Sequence, residues 1–170
     1  MGIRTHETAK PRRGDRKRGT NMAHTFTHLL THIVFSTKDR SPIITPDLRA
    51  RLFPYIGGII RELDGHAYII NGPEDHLHIL PTLSPKIALS DFMCKLKAGS
   101  SKWVHEELKN ESFSWQAGYG AFSVSKSSTD AVYQYIANQE EHHRKLTFQD
   151  EFIALLKRHE IEYDPKYIWE

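Results

Sequence analysis

Two histidines separated by one apolar residue, His76-Leu77-His78, stand in the stretch NGPEDHLHIL. Side chains on a strand repeat every two residues, so both imidazoles share one face while Leu77 points into a core. Two imidazoles so placed can share a divalent metal; the plainer reading is ordinary polar surface. Further along, STDAVYQYIANQEEHHRK reads as a helix on which Tyr135, Gln139 and His143 recur every four residues and share a face. A tyrosine hydroxyl titrates near pH ~10, so it becomes a nucleophile only beside a base or a metal-polarised electrophile. Otherwise Tyr135 is a half-buried aromatic with a satisfied hydroxyl. Glu74 and Asp75 could orient the histidines, although a plain acidic turn is the simpler account.

The elements that must position these residues follow from local pattern. Residues 25–37, TFTHLLTHIVFST, are rich in β-branched and aromatic types and read as a strand. Ser41-Pro42 breaks it. Thr45-Pro46 supplies a cap and a first-turn proline for a helix to about Leu63, with Leu48, Leu52, Ile56 and Ile60 on its apolar stripe. Residues 66–71 and 76–84 read as strands around a Gly72-Pro73 turn, and a second helix runs from Ser90 or Asp91 to about Leu108. FSWQ (113–116) and GAFSVS (120–125) read as short strand segments, 129–143 as the helix bearing Tyr135, and Thr147 to about His159 as a last helix. The aromatic tail 160–170 should pack on something. This order predicts an α+β fold, a ferredoxin-like (RRM-like) central antiparallel sheet with helices on one face and a C-terminal tyrosine-bearing helix. His76 and His78 would then lie on the sheet's open face. The glycines Gly118 and Gly120 read as serving tight turns.

The chain has 170 residues, 39% hydrophobic and 26% charged, as expected of one globular domain. It lacks an apolar run of the roughly 20 residues that span a bilayer and an apolar leader at its N-terminus. The single cysteine, Cys94, cannot form an internal disulfide and reads as a small buried hydrophobe; the expected location is the cytoplasm. Residues 1–21 carry a net charge of +5 and the remainder a net of −3. Residues 1–22 are expected to be a disordered basic extension, either a nucleic-acid-binding arm or a stretch preceding a natural start at Met22, and 23–170 a single domain. Bulk charge does not make the folded part a nucleic-acid binder; a local basic face would be needed.

PEDHLHIL resembles the histidine-hydrophobe-histidine motif of the HUH nucleases. WQAGYGAFSVSKSSTDAVYQYIANQEEHH is similar to the tyrosine-bearing segment of the single-tyrosine transposases of the insertion-sequence two-hundred group (IS200-like) and their REP-associated relatives. THIVFSTKDR, LSDFMCKLKAGSSKW and TFQDEFIALLKRHEIEYD fit the same family, so the resemblance covers about residues 23–165. It departs at Pro73-Glu74-Asp75, which has one residue more before the first histidine than is usual.

The resemblance implies a metal-dependent single-stranded DNA transposase that nicks and rejoins DNA through a 5′-phosphotyrosine. Tyr135 would be the nucleophile, and His76, His78 and Gln139 the ligands of Mg²⁺ or Mn²⁺, with His143 a competing ligand. Mixed N/O ligation with open positions suits those ions, although histidines alone would prefer Zn²⁺ or other transition metals. The implied partner is single-stranded DNA with hairpins, and the implied assembly a homodimer in which Tyr135 and Gln139 face His76 and His78 of the other copy. The Gly118 and Gly120 region and residues 123–130 would then be the joint that lets the tyrosine helix swing, unless the glycines serve only tight turns. Lys38, Arg40, Lys95, Lys97 and Lys102 are candidate DNA contacts. His24, His28 and His32 share a strand parity and are expected in surface and sheet-packing roles rather than a second metal site. Two other readings compete: a domesticated hairpin-DNA-binding protein that keeps the fold without transposing, and a hydrolytic metalloenzyme on another substrate.

Overall fold

The computed structural model describes residues 26–144 and 146–169; the expectations for 1–22 and for His24 fall outside them. Four strands, β1 (Leu29–Ser36), β2 (His66–Asn71), β3 (His76–Leu83) and β4 (Gly120–Ser123), form one antiparallel sheet in the order β2-β3-β1-β4. That is the expected ferredoxin-like arrangement, with β1 and β3 at the centre. Alternation along β1 splits it into two faces. Ile33 and Phe35 face α1 (Pro46–Glu62) and α2 (Leu89–Leu108), where Leu48, Leu52, Ile56, Ile60, Phe92, Met93 and Leu96 complete the main core with Leu77 and Ile79. Thr45 caps α1 by accepting from the Leu48 N–H at 3.3 Å.

The other face carries Leu30, His32, Val34, His76, His78 and Leu80, and it is not open. Helices α3 (Thr129–Ala137), α4 (Gln139–His143) and α5 (Phe148–Arg158) close over it. Ile136 packs on Leu30 and Leu80, while Phe148, Leu155 and Leu156 pack on Val34 and Phe122. The tail packs here as well, through Tyr163 and Ile168, and Trp169 meets Phe148 and Phe152. His76 and His78 are therefore fully buried.

The expected helix over 129–143 is interrupted at Asn138 (φ −96°, ψ 20°). Asn71 at the end of β2 donates its Nδ2 to the carbonyls of Ile136 (2.8 Å) and Ala137 (3.1 Å), an alternative partner for groups that a continuous helix would use itself. Residues 113–116 form only one bridge, Thr37 to Trp115, because Trp115 is spent on the core: its ring meets Phe35 and Phe113, and its Nε1 donates to Ser100 Oγ at 2.9 Å. Cys94, expected in the core, is exposed; its neighbour Met93 takes the inward position on α2. No helix among the described residues is long and apolar enough to cross a membrane.

Candidate active site

The β2–β3 turn aims the histidines. A Cβ on Gly72 would sit 2.3 Å from the His76 carbonyl oxygen, so only glycine allows this close a return. Backbone hydrogen bonds from Thr37 N to Asp75 O (2.8 Å) and from Ile44 N to Glu74 O (2.9 Å) pin the acidic turn to the end of β1 and to the segment that leads into α1. Asp75 does more than form a turn: its Oδ1 lies 2.7 Å from His76 Nδ1. A carboxylate can only accept there, so Nδ1 carries the hydrogen. Burial pushes the Asp75 carboxyl up, but the hydrogen bond from His76, the attraction of His76 and His143 and a backbone hydrogen bond together hold the pKa below its usual value. Glu74 is exposed and takes part through its backbone alone.

His78 has its own partner. His32 on β1 places Nε2 2.9 Å from His78 Nδ1, with the rings stacked 5.2 Å apart. Burial pushes His32 down to about 3 and His76 to about 4, so both are neutral at physiological pH. His32 thus takes the sheet-packing role expected of it and orients His78 as well; His28 is exposed.

Helices α3 to α5 supply the rest. Tyr135, Gln139 and His143 converge, as their four-residue spacing implied, on a residue that no motif had singled out: Glu151 of α5, buried at 1% exposure. Glu151 Oε1 accepts from the Tyr135 hydroxyl and, at 2.9 Å, from Gln139 Nε2. Its Oε2 lies 2.9 Å from His143 Nε2, 3.4 Å from His78 Nε2 and 3.7 Å from His76 Nε2. Burial raises the Glu151 pKa, but the hydrogen bonds from His143 and Tyr135 and the attraction of His78 drive it far below the carboxylate range. Tyr135 is pushed well above its usual value by burial and by the Glu151 charge.

Three buried atoms in this site make no hydrogen bond: His76 Nε2, His78 Nε2 and Gln139 Oε1. Buried lone-pair donors without hydrogen-bond partners are what a bound cation would use. His76, His78, His143 and Glu151 also bring four ligand atoms within 4.8 Å of one another, so the residues present fit a divalent metal.

Comparison with known proteins decides the family. The family model for the IS200-like transposases matches residues 25–139, a span that takes in His76, His78, Tyr135 and Gln139. The chain belongs to the IS200-like transposase family. It is 31% identical over 137 residues to the transposase for insertion sequence element IS200 of Salmonella typhimurium, across 74% of this chain and 84% of that protein, and matches the Salmonella typhi counterpart equally. Its fold resembles a candidate transposase from Deinococcus radiodurans (TM-score 0.56, 22% identity, 69% of this chain and 95% of that one). A REP-associated tyrosine transposase bound to a REP hairpin shares the fold at TM-score 0.51 and 12% identity, over 81% of this chain and 74% of that one.

Within this IS200-like transposase, Tyr135 and Gln139 meet the histidines of their own chain, where the resemblance implied those of a second copy; the Tyr135 and His78 rings are 6.0 Å apart. Gly120 lies in β4 and not in a turn, and a Cβ there would be 2.7 Å from the Phe152 ring, so its lack of a side chain lets α5 approach β4. The basic candidates divide by surroundings. Lys38 and Arg40 are exposed just past β1, at the His76 end of the sheet. Arg40 and Arg144 border a groove with Asp75, His143 and Thr147. Lys95 is exposed, and exposed Lys102 lies 3.8 Å from Glu106. Half-buried Lys97 instead donates to the carbonyls of Gln116, Ala117 and Gly118 at 2.8, 3.1 and 2.6 Å, and burial pushes its pKa down to about 8.

Glu151 was legible in principle. On α5 it occupies the same stripe as Phe148 and Leu155, three residues after one and four before the other. An acid on an apolar stripe signals a buried carboxylate that needs partners.

Proposed function

We propose that this chain is a metal-dependent single-stranded DNA transposase that nicks and rejoins DNA through a 5′-phosphotyrosine on Tyr135. The observation that carries the reading is the meeting of Tyr135, Gln139, His76 and His78 at one buried point. His76, His78 and Gln139 would hold Mg²⁺ or Mn²⁺, which supplies Lewis-acid neutralisation of a phosphate oxygen. Tyr135 Oη attacks phosphorus and passes its proton to Glu151 Oε1, already its acceptor. The bond from phosphorus to the 3′-oxygen breaks, and the departing oxygen takes that proton and leaves as a 3′-hydroxyl. Because the phosphodiester energy is kept in the tyrosyl ester, another 3′-hydroxyl can reverse the step and rejoin DNA without ATP.

The substrate is single-stranded DNA carrying a hairpin. Arg40, with Lys38 beside it, would guide the backbone along the groove that reaches His143, with exposed Lys102 as a further contact. Lys97, its ammonium engaged by the carbonyls of residues 116–118, would contribute only by holding that loop. The protein would act in the cytoplasm as a homodimer with shared active sites, the helix of Tyr135 exchanging between its own histidines and those of the partner. Incubation with hairpin DNA from the flanking genome and Mn²⁺ should give a covalent complex that survives denaturation and is lost in Tyr135→Phe. Hairpin binding with no adduct under any metal would overturn the reading in favour of a domesticated DNA-binding protein.

A further inference from the structure

We infer that Glu151 and His143 are metal ligands alongside His76 and His78, forming a three-histidine, one-carboxylate site that takes a transition-metal ion in preference to Mg²⁺. The inference rests on the proposed function only in that His76 and His78 hold a metal. Both added residues lie beyond the 25–139 span matched by the family model.

The geometry comes first. With metal–ligand bonds of about 2.1 Å, neighbouring ligand atoms of a tetrahedral site stand about 3.4 Å apart. Glu151 Oε2 lies 2.9, 3.4 and 3.7 Å from Nε2 of His143, His78 and His76, and the whole set is within 4.8 Å. Small side-chain adjustments would close the set around one ion.

The hydrogen bonds point the same way. His76 gives its Nδ1 hydrogen to Asp75, and its Nε2 is buried without a hydrogen-bond partner. A hydrogen on that Nε2 would be stranded, so the nitrogen presents a lone pair. The Nε2 of His78 is likewise unpartnered, and its Nδ1 is held by His32. Metal-binding histidines are commonly fixed through the second nitrogen in this way. Glu151 is buried, and its ion-pair partners among the described residues are histidines, with no lysine or arginine to offset the carboxylate. A buried carboxylate whose ion-pair partners are imidazoles alone, with no lysine or arginine among them, is completed by a bound cation. A dication supplies it and leaves net positive charge for a phosphate. Three imidazoles make the site soft enough to favour Zn²⁺, Co²⁺ or Mn²⁺ over Mg²⁺.

The two oxygens divide the work. Oε2 faces the ligand set, while Oε1 holds Tyr135 and Gln139, so the same carboxylate would register the nucleophile against the ion.

The test uses the full chain, stripped with chelator and titrated with Co²⁺, Mn²⁺ and Mg²⁺ by calorimetry, with X-ray absorption at the cobalt edge. We expect one site, three imidazoles on cobalt, Mn²⁺ bound at least a hundredfold more tightly than Mg²⁺, and at least a tenfold loss of Co²⁺ affinity in both Glu151→Gln and His143→Ala. Should those variants bind Co²⁺ like the parent while His76→Ala does not, the inference fails and the two-histidine site stands. Should His76→Ala also bind normally, the metal site of the proposed function fails with it. If Glu151→Gln does not fold, the imidazole count in the parent protein decides, and two instead of three overturns the inference.

Discussion

Lowering the pH from 8 to 5 in the presence of a chelator should cost the fold about 4 kcal/mol through His32 and His76. Both are buried, and burial holds them at about 3 and about 4, against 6.5 in the unfolded chain. Above 6.5 neither state binds these protons, so the two groups contribute no pH dependence. As pH falls through 6.5 the unfolded chain takes up two protons that the folded chain refuses, and stability drops until the folded-state values are reached. At pH 5 each group has crossed about 1.5 pH units of that window, worth about 2 kcal/mol. Glu151 does not confuse the measurement. Its pKa is depressed, so the stability it contributes is present above 4.5 and is lost only below. The assay is urea unfolding followed by tryptophan fluorescence at pH 8, 6.5 and 5. With a slope of about 2 kcal/mol/M the midpoint should fall by roughly 2 M. His32→Gln removes one of the two groups and should halve the drop. A parent midpoint that does not move between pH 8 and 5, or a His32→Gln drop as large as the parent's, would refute the reasoning.

Three further outcomes follow from named contacts. Tyr135→Phe removes a hydroxyl that donates to a buried carboxylate, and should cost about 1.5–3 kcal/mol in urea unfolding in addition to abolishing the adduct. Gly120→Ala would push a methyl to 2.7 Å from the Phe152 ring and 3.1 Å from Phe122, for a loss of about 1–3 kcal/mol and a lower melting temperature. Lys97→Met withdraws the donor shared by the carbonyls of residues 116–118; hydrogen exchange should quicken in that loop, and stability should fall by about 1–3 kcal/mol.

The sheet, the first two helices and the spacing of the site residues were legible because each depends on local pattern. The two-residue repeat put Leu77 and Ile79 in the core and both histidines on the other face, and the four-residue repeat put Tyr135, Gln139 and His143 in line. What escaped depends on which segments meet. Strand parity linked His32 to His28, but its partner is His78, brought across by the pairing of β1 with β3. The histidine face looked open because nothing local says that α5 folds back onto it. Asn138 reads as helix until Asn71, distant in sequence, takes the carbonyls just before it. At residues 113–116 local strand preference yielded to the burial of Trp115 between Phe35 and Phe113.

Glu151 joins these threads. An acid costs most where it is buried without partners, and Glu151 sits on an apolar stripe between Phe148 and Leu155. Tyr135, Gln139 and His143 satisfy it, and two of those are residues that the proposed chemistry needs. Helix α5 therefore cannot leave the sheet without freeing the tyrosine, and the tyrosine cannot leave without stranding part of a buried carboxylate. In the proposed reaction a DNA phosphate entering between Tyr135 and the histidines would bring its negative charge to within reach of Glu151, and a cation on Oε2 or displacement of α5 would relieve the repulsion. The fold would thereby couple three events of that reaction: metal loading, admission of the phosphate and release of the nucleophile. The coupling runs through the two oxygens of one side chain.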